Sequence, residues 1–147
     1  MIGFFYIYTM EIKALYEIYK KCVRVETDTR KDLNQSLFFA LKGDNFNGNE
    51  FAARALESGA LYAVVDEETF KVNDRIILVD NVLHTLQELA NYHRKQLKVP
   101  VISLTGSNGK TTTKELIYAV MREKYVCTAT KGNLNNHIGV PLTLLTM

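Results

Sequence analysis

Residues 101–113, VISLTGSNGKTTT, limit the possible folds of this chain more than any other segment: an apolar run meets a turn with two glycines and then a helix start. Phosphate needs backbone N–H groups aimed at it with no side chain in the way, and glycine permits that approach. The positive end of the following helix adds attraction for an anion. Gly106, Ser107, Asn108, Gly109, Lys110, Thr111 and Thr112 are therefore the candidate nucleotide-binding loop. Lys110 is placed to reach the terminal phosphates, and the Thr111 hydroxyl to help hold Mg²⁺. A strand, a phosphate loop and a helix in this order predict an α/β unit that handles a nucleoside triphosphate.

The loop departs from the common P-loop pattern. Counting back from Gly109-Lys110, the first glycine of G-x-x-x-x-G-K-[ST] would fall on Leu104, and the extra glycine stands at 106 instead. The plain alternative is a glycine-rich turn that happens to carry a surface lysine. The apolar run before the loop and the threonine after the lysine both count against it.

The rest of the chain bounds the surroundings of that loop. Its 147 residues allow one ordinary domain, or a small domain plus part of another. A hydrophobic share of 47% with 23% charged residues is the balance of a soluble globular protein. The net charge of +2 gives no basic field that would favour nucleic acid as a partner. Cys22 and Cys127 lack the paired spacing of a zinc site and read as idle thiols in a reducing compartment. Residues 1–9, MIGFFYIYT, form an apolar leader without the basic start of a signal peptide or the length of a membrane span. No stable membrane insertion is expected of it, and Met10 is a plausible natural start.

Apolar spacing predicts helices over residues 11–20, 50–58, 82–97 and 110–124. Gly59 falls just past the second of these, as helix ends favour. Residues 36–41, 61–65, 75–79, 101–105 and 125–129 read as strands. Residues 42–49, with two glycines and three asparagines, are loop chemistry. Pro100 blocks continuation of the long helix, so the boundary between two units falls at Val99-Pro100. Three parts follow: a leader over 1–9, a first domain over 10–98, and the start of a second over 99–147. His84, His93 and His137 are assigned no chemistry; the first two read as packing or surface residues of the long helix.

The loop Thr105-Gly106-Ser107-Asn108-Gly109-Lys110-Thr111 resembles the T-G-[ST]-N-G-K-[ST] signature of the Mur ligases of bacterial cell-wall synthesis. The stretch from Lys131 through Asn133, Asn135, Asn136, His137 and Pro141 to Leu145 is similar to the G-N-x-N-N-x-I-G-x-P-L-T-L-L run of the branch that adds D-alanyl-D-alanine. Thr27-Asp28-Thr29-Arg30, residues 36–43 (SLFFALKG) and residues 47–51 (NGNEF) resemble the uridine-nucleotide-binding domain of that branch. The family often has Asp-Gly where this chain has Asn47-Gly48, which leaves the turn chemistry intact. The resemblance covers residues 10 to 147 and well under half of such an enzyme.

That resemblance implies a small mixed-sheet first domain followed by the truncated start of a P-loop α/β central domain. It implies ATP and Mg²⁺ as cofactors, and UDP-N-acetylmuramoyl-tripeptide and D-alanyl-D-alanine as substrates. A cytoplasmic, monomeric enzyme would join them through an acyl phosphate. Lys110, Asn133 and Asn136 would be catalytic, and Thr29, Arg30, Lys42, Gly43 and Asn135 would bind substrate. The metal-binding carboxylate and histidine, the carbamylated lysine and the amine-binding domain would lie outside these residues, so the chain alone is expected to be inactive. Three alternatives stay open: the sister ligase that adds the third amino acid, an unrelated P-loop ATPase or kinase, and a non-catalytic nucleotide-binding piece.

Overall fold

The structure, a computed structural model, describes residues 10–132 and 134–147. The apolar leader at 1–9 and Asn133 lie outside the described residues. The chain runs α1 (Ile12–Tyr19), β1 (Arg24–Glu26), β2 (Ser36–Phe39), a 3₁₀ turn (Gly48–Phe51), α2 (Ala52–Glu57), β3 (Tyr62–Val65), a second 3₁₀ turn (Glu68–Phe70), β4 (Ile76–Leu78), α3 (Val82–Gln96), α4 (Lys110–Met121) and α5 (Gly139–Leu144).

The four strands form one sheet in the order β1-β2-β3-β4, and all three pairings between these strands are parallel. The α/β class expected from the alternation of elements holds, but the sheet is not mixed. Each connection crosses back over the sheet before the next strand begins, so every strand enters at the same edge. Val25 pairs with Leu37, Phe38 with Ala63, and Val64 with Ile77.

Side chains alternate between the two faces along each strand. Leu37 and Phe39 of β2, Val64 of β3 and Ile77 of β4 point to one face, where Leu15 of α1 and Leu86 and Leu89 of α3 cover them. Phe38, Ala63, Val65 and Ile76 point to the other, against Ala52, Ala55 and Leu56 of α2. A helix layer on each side explains why all four residues of β2 are buried and why it reads as a continuous apolar run. Burying one such Leu or Phe side chain contributes roughly 2 kcal/mol.

α3 starts at Asn81, whose side chain accepts the His84 amide at 2.8 Å. Its buried positions include Val82, Leu86, Leu89 and Ala90 of the stripe that the apolar spacing predicts, joined by Thr85 and His93. The helix expected over 50–58 begins as a 3₁₀ turn and becomes α-helical only at Ala52. β1 has no counterpart in the sequence reading, because Arg-Val-Glu carries no apolar run. It is an edge strand whose charges pair locally, Arg24 with Asp32 at 2.7 Å and Glu26 with Lys31 at 3.0 Å.

Two predicted strands are not found. Residues 101–105 and 125–129 are not hydrogen-bonded into any sheet. A parallel strand requires a neighbour to receive its backbone groups, and neither segment has one among the described residues. Apolar side chains on and between these segments stay in solvent: Ile102 is 61% exposed, and Leu116 and Val120 on α4 are 64% and 71% exposed.

The last ten residues behave differently. α5 packs on α3, and Leu145 enters the same core as Leu15 and Leu86. The tail of the predicted second unit is thus anchored to the first.

Candidate functional site

The candidate nucleotide-binding loop turns on two glycines. Gly106 and Gly109 adopt positive φ, +144° and +78°, and a Cβ at either position would meet nothing within 4 Å. Glycine is needed here for the backbone turn itself, not for lack of room. Gly109 leads into α4, and no side chain caps that helix start. The first amides of α4 therefore keep their donors available for an anion. Lys110 folds back over the loop, its ammonium donating to the Gly106 carbonyl and, at 3.3 Å, to that of Ser107. Ser107, Asn108, Thr111 and Thr112 are exposed around it. Thr111 stands on the first turn of α4. Among the described residues no group of three or more His, Cys, Asp or Glu could hold a metal.

Lys114, one helical turn beyond Lys110, was not singled out by sequence reasoning. Its ammonium donates to the Thr130 and Gly132 carbonyls at 2.5 and 3.1 Å, which ties α4 to the start of the asparagine run. Its spacing of four from Lys110, on the same helix face, was the available signal. Within the run, Asn136 uses its side-chain oxygen to accept the Ile138 and Gly139 amides at 3.2 and 2.7 Å, holding the start of α5. Asn135 is exposed.

Because all strands are parallel, their carboxyl ends share one edge, where ligands of open α/β sheets bind. Thr29 and Arg30 follow β1, Lys42 and Gly43 follow β2, and Asp66 and Glu67 follow β3. The fold thus brings the four candidate residues of the first domain to one edge. Asp28 accepts the Arg30 guanidinium on both oxygens, at 2.9 and 2.7 Å, and also the Arg30 amide at 3.0 Å. These bonds hold the Asp28 carboxyl well below the usual carboxylate range. Arg30 itself is 89% exposed.

Lys42 is held by two carboxylates, Asp66 at 2.8 Å and Glu67 at 2.9 Å. Sequence reasoning missed both acids, and gave the fully buried Asn49 beside them no role beyond its place in the run at 47–51. Two acids placed directly after a buried strand were the only local sign. Burial pushes the Asp66 carboxyl up, but hydrogen bonds from Lys42, Asn49 and the Val82 amide outweigh it, and the group lies below its ordinary value.

Both regions match known proteins. Residues 23–94 match the Mur ligase family catalytic domain, and residues 104–147 match the Mur ligase middle domain. The chain belongs to the Mur ligase family. It is 46% identical over 125 residues to UDP-N-acetylmuramoyl-tripeptide--D-alanyl-D-alanine ligase of Bacillus subtilis, a match that covers 84% of this chain and 27% of that relative. The Escherichia coli enzyme of the same name is 42% identical over 121 residues, covering 82% of the chain and 26% of the relative. Among solved structures, the MurF ligase from Thermotoga maritima in complex with ADP superposes with a TM-score of 0.77 at 33% identity, over 88% of this chain and 30% of that one. MurF from Acinetobacter baumannii gives 0.79 at 31% identity, over 92% and 32%.

This Mur ligase chain is a homologue of MurF and spans about a quarter of the length of those relatives. The first match holds the carboxyl edge and the second holds the phosphate loop and α5. The unrelated P-loop ATPase or kinase is excluded by that membership. Among the described residues no helix is long and apolar enough to cross a membrane.

Proposed function

We propose that these residues form the uridine-nucleotide domain and the beginning of the ATP domain of a cytoplasmic ligase. That enzyme joins D-alanyl-D-alanine to UDP-N-acetylmuramoyl-tripeptide. The observation that carries the proposal is the joint match of the phosphate loop and the asparagine run, on a chain 46% identical to a ligase of that name. The ADP in the Thermotoga maritima relative supports a nucleotide as the ligand of the loop.

In this reading the carboxylate of the tripeptide attacks the γ-phosphorus of ATP, and ADP leaves. The amine of the dipeptide then attacks the acyl phosphate, loses its proton, and expels inorganic phosphate as the amide forms. Phosphoryl transfer leaves the protein mainly positioning and charge neutralisation. The glycines of the loop let backbone amides approach the phosphates, and the Lys110 ammonium exchanges its carbonyl partners for phosphate oxygens. Thr111 would help to hold Mg²⁺, which would offset charge on the same oxygens. Asn135, Asn136 and Asn133 would stand beside the reacting carboxylate, with Asn136 positioning the run through α5. Val99-Pro100 separates the two sites along the chain.

The test is substrate dependence. In a polypeptide that carries these residues within the full length of the relatives, ADP release should require both UDP-N-acetylmuramoyl-tripeptide and D-alanyl-D-alanine. Release driven instead by the UDP-dipeptide and a single amino acid would assign the chain to the sister ligase.

A further inference from the structure

The loop after β2 is fastened to the end of β3 by a closed set of side chains. Lys42 pairs with Asp66 and Glu67 at 2.8 and 2.9 Å. The buried Asn49 donates to Asp66 and to Asn47, at 2.9 and 2.8 Å, and accepts the Asp66 amide at 2.9 Å. Asn47 donates to Glu67 at 3.0 Å. The second oxygen of Asp66 receives the Val82 amide, the first of α3, at 3.3 Å. One lysine faces two carboxylates here, so the cluster carries a net negative charge.

We propose that Lys42 is a positioning residue. It acts on the UDP-linked substrate through Asp66 and Glu67, by holding residues 42–49 in place, and not by direct contact with the diphosphate. This rests on the reading that the carboxyl edge is the uridine-nucleotide site. An ammonium already shared between two carboxylates offers little net attraction to a further anion, and a diphosphate brought against the cluster would be repelled by Asp66 and Glu67. The diphosphate therefore takes its charge compensation from elsewhere on the edge, where the solvent-exposed Arg30 is paired with one carboxylate, Asp28, and not with two. Asn49 is the buried anchor of the same device: its amide is satisfied on both ends, so it fixes the distance between the loop and β3.

The test compares the 147-residue chain with its Lys42→Met variant. Hydrogen exchange of the ligand-free proteins reads the loop, and calorimetric titration with uridine diphosphate at two salt concentrations reads the site. The proposal expects exchange across residues 43–49 to quicken by about tenfold in the variant. It also expects affinity to fall by about tenfold, with the same dependence on salt in both proteins. A weaker salt dependence in the variant, or lost affinity with unchanged exchange, would show a direct phosphate contact and overturn it. Unchanged affinity with a loosened loop would overturn it as well. A parent chain that fails to bind uridine diphosphate contradicts the site reading itself, and the exchange result then decides alone whether Lys42 holds the loop.

Discussion

The Tyr19 hydroxyl donates to the Leu145 carbonyl at 2.9 Å, joining α1 to the end of α5 across 126 positions of sequence. Burial, and secondarily Tyr16, keep this phenol above its ordinary pKa, so it remains a donor throughout the neutral range. His93 makes a parallel link: one ring nitrogen lies 3.3 Å from the Met147 carbonyl and the other 3.2 Å from the Tyr16 hydroxyl. A carbonyl only accepts, so Nε2 donates to Met147. Through these contacts the segment after the asparagine run is fixed to the first domain.

Tyr19→Phe should therefore cost about 1 kcal/mol, the usual net value of one hydrogen bond. Its effect should be local. Exchange of the α5 amides is expected to quicken while β2 and β3 keep their protection. Equal loosening of β2 and β3 would show that the bond supports the whole domain.

Gly48 and Gly106 should respond differently to alanine. A Cβ on Gly48 would lie 2.0 Å from the Leu41 carbonyl oxygen, backbone against backbone. Gly48→Ala is expected to destabilise the fold by ~3 kcal/mol in a urea titration. Gly106→Ala meets no neighbour but inherits a positive φ, so its cost of about 1–2 kcal/mol should fall on the loop and on nucleotide affinity. A midpoint for Gly48→Ala equal to that of the parent would contradict the packing described.

How much of this could be read in advance depended on how local each feature is. α3 was legible to within one residue because Val82, Leu86, Leu89 and Ala90 repeat at helical spacing, and β2 because both its faces are covered. β1 escaped notice because backbone pairing with β2, not apolar side chains, makes it a strand. Residues 101–105 misled in the opposite sense: they are apolar, but strand structure needs a partner. At the site, the glycine spacing and Lys110 lie within seven residues of one another. The clamp of Asn49 on Asp66 joins residues 17 apart and exists only once β2 and β3 pair in parallel.

Acid should weaken the fold through its carboxylates. Asp66 and Asp28 have folded-state pKa values below the ordinary one, so the unfolded chain binds more protons as pH falls. The stabilisation is fully present above about pH 5, beyond the unfolded value near 3.9, and is lost as pH drops through the folded values. The melting temperature should be level from neutral pH to about 5 and then decline. Asp66→Asn and Asp28→Asn should each flatten that acid limb, because each removes a carboxyl held below its ordinary value. An acid limb unchanged by Asp66→Asn would assign it to other groups.

Cys22 should be a poor nucleophile. Burial pushes its thiol up to about 11, and its hydrogen lies toward the Ile18 carbonyl at 3.4 Å. At pH 8 its alkylation should run about a hundredfold slower than that of a free cysteine. Peptide mapping after iodoacetamide treatment would show this, and rapid modification of Cys22 in the native chain would contradict the packing of α1.

The proposed function requires two separate sites on this chain, uridine nucleotide on the carboxyl edge and ATP at the phosphate loop. It is tested most directly by titrating UDP-N-acetylmuramoyl-tripeptide into the parent chain and into Lys110→Ala. The account predicts binding in both with the same affinity, within about twofold. In a full-length enzyme the same substitution should abolish ADP release, because the proposed role of the lysine is on the ATP phosphates alone. A collapse of UDP-substrate affinity in Lys110→Ala as severe as the loss of turnover would contradict the separation of the two sites.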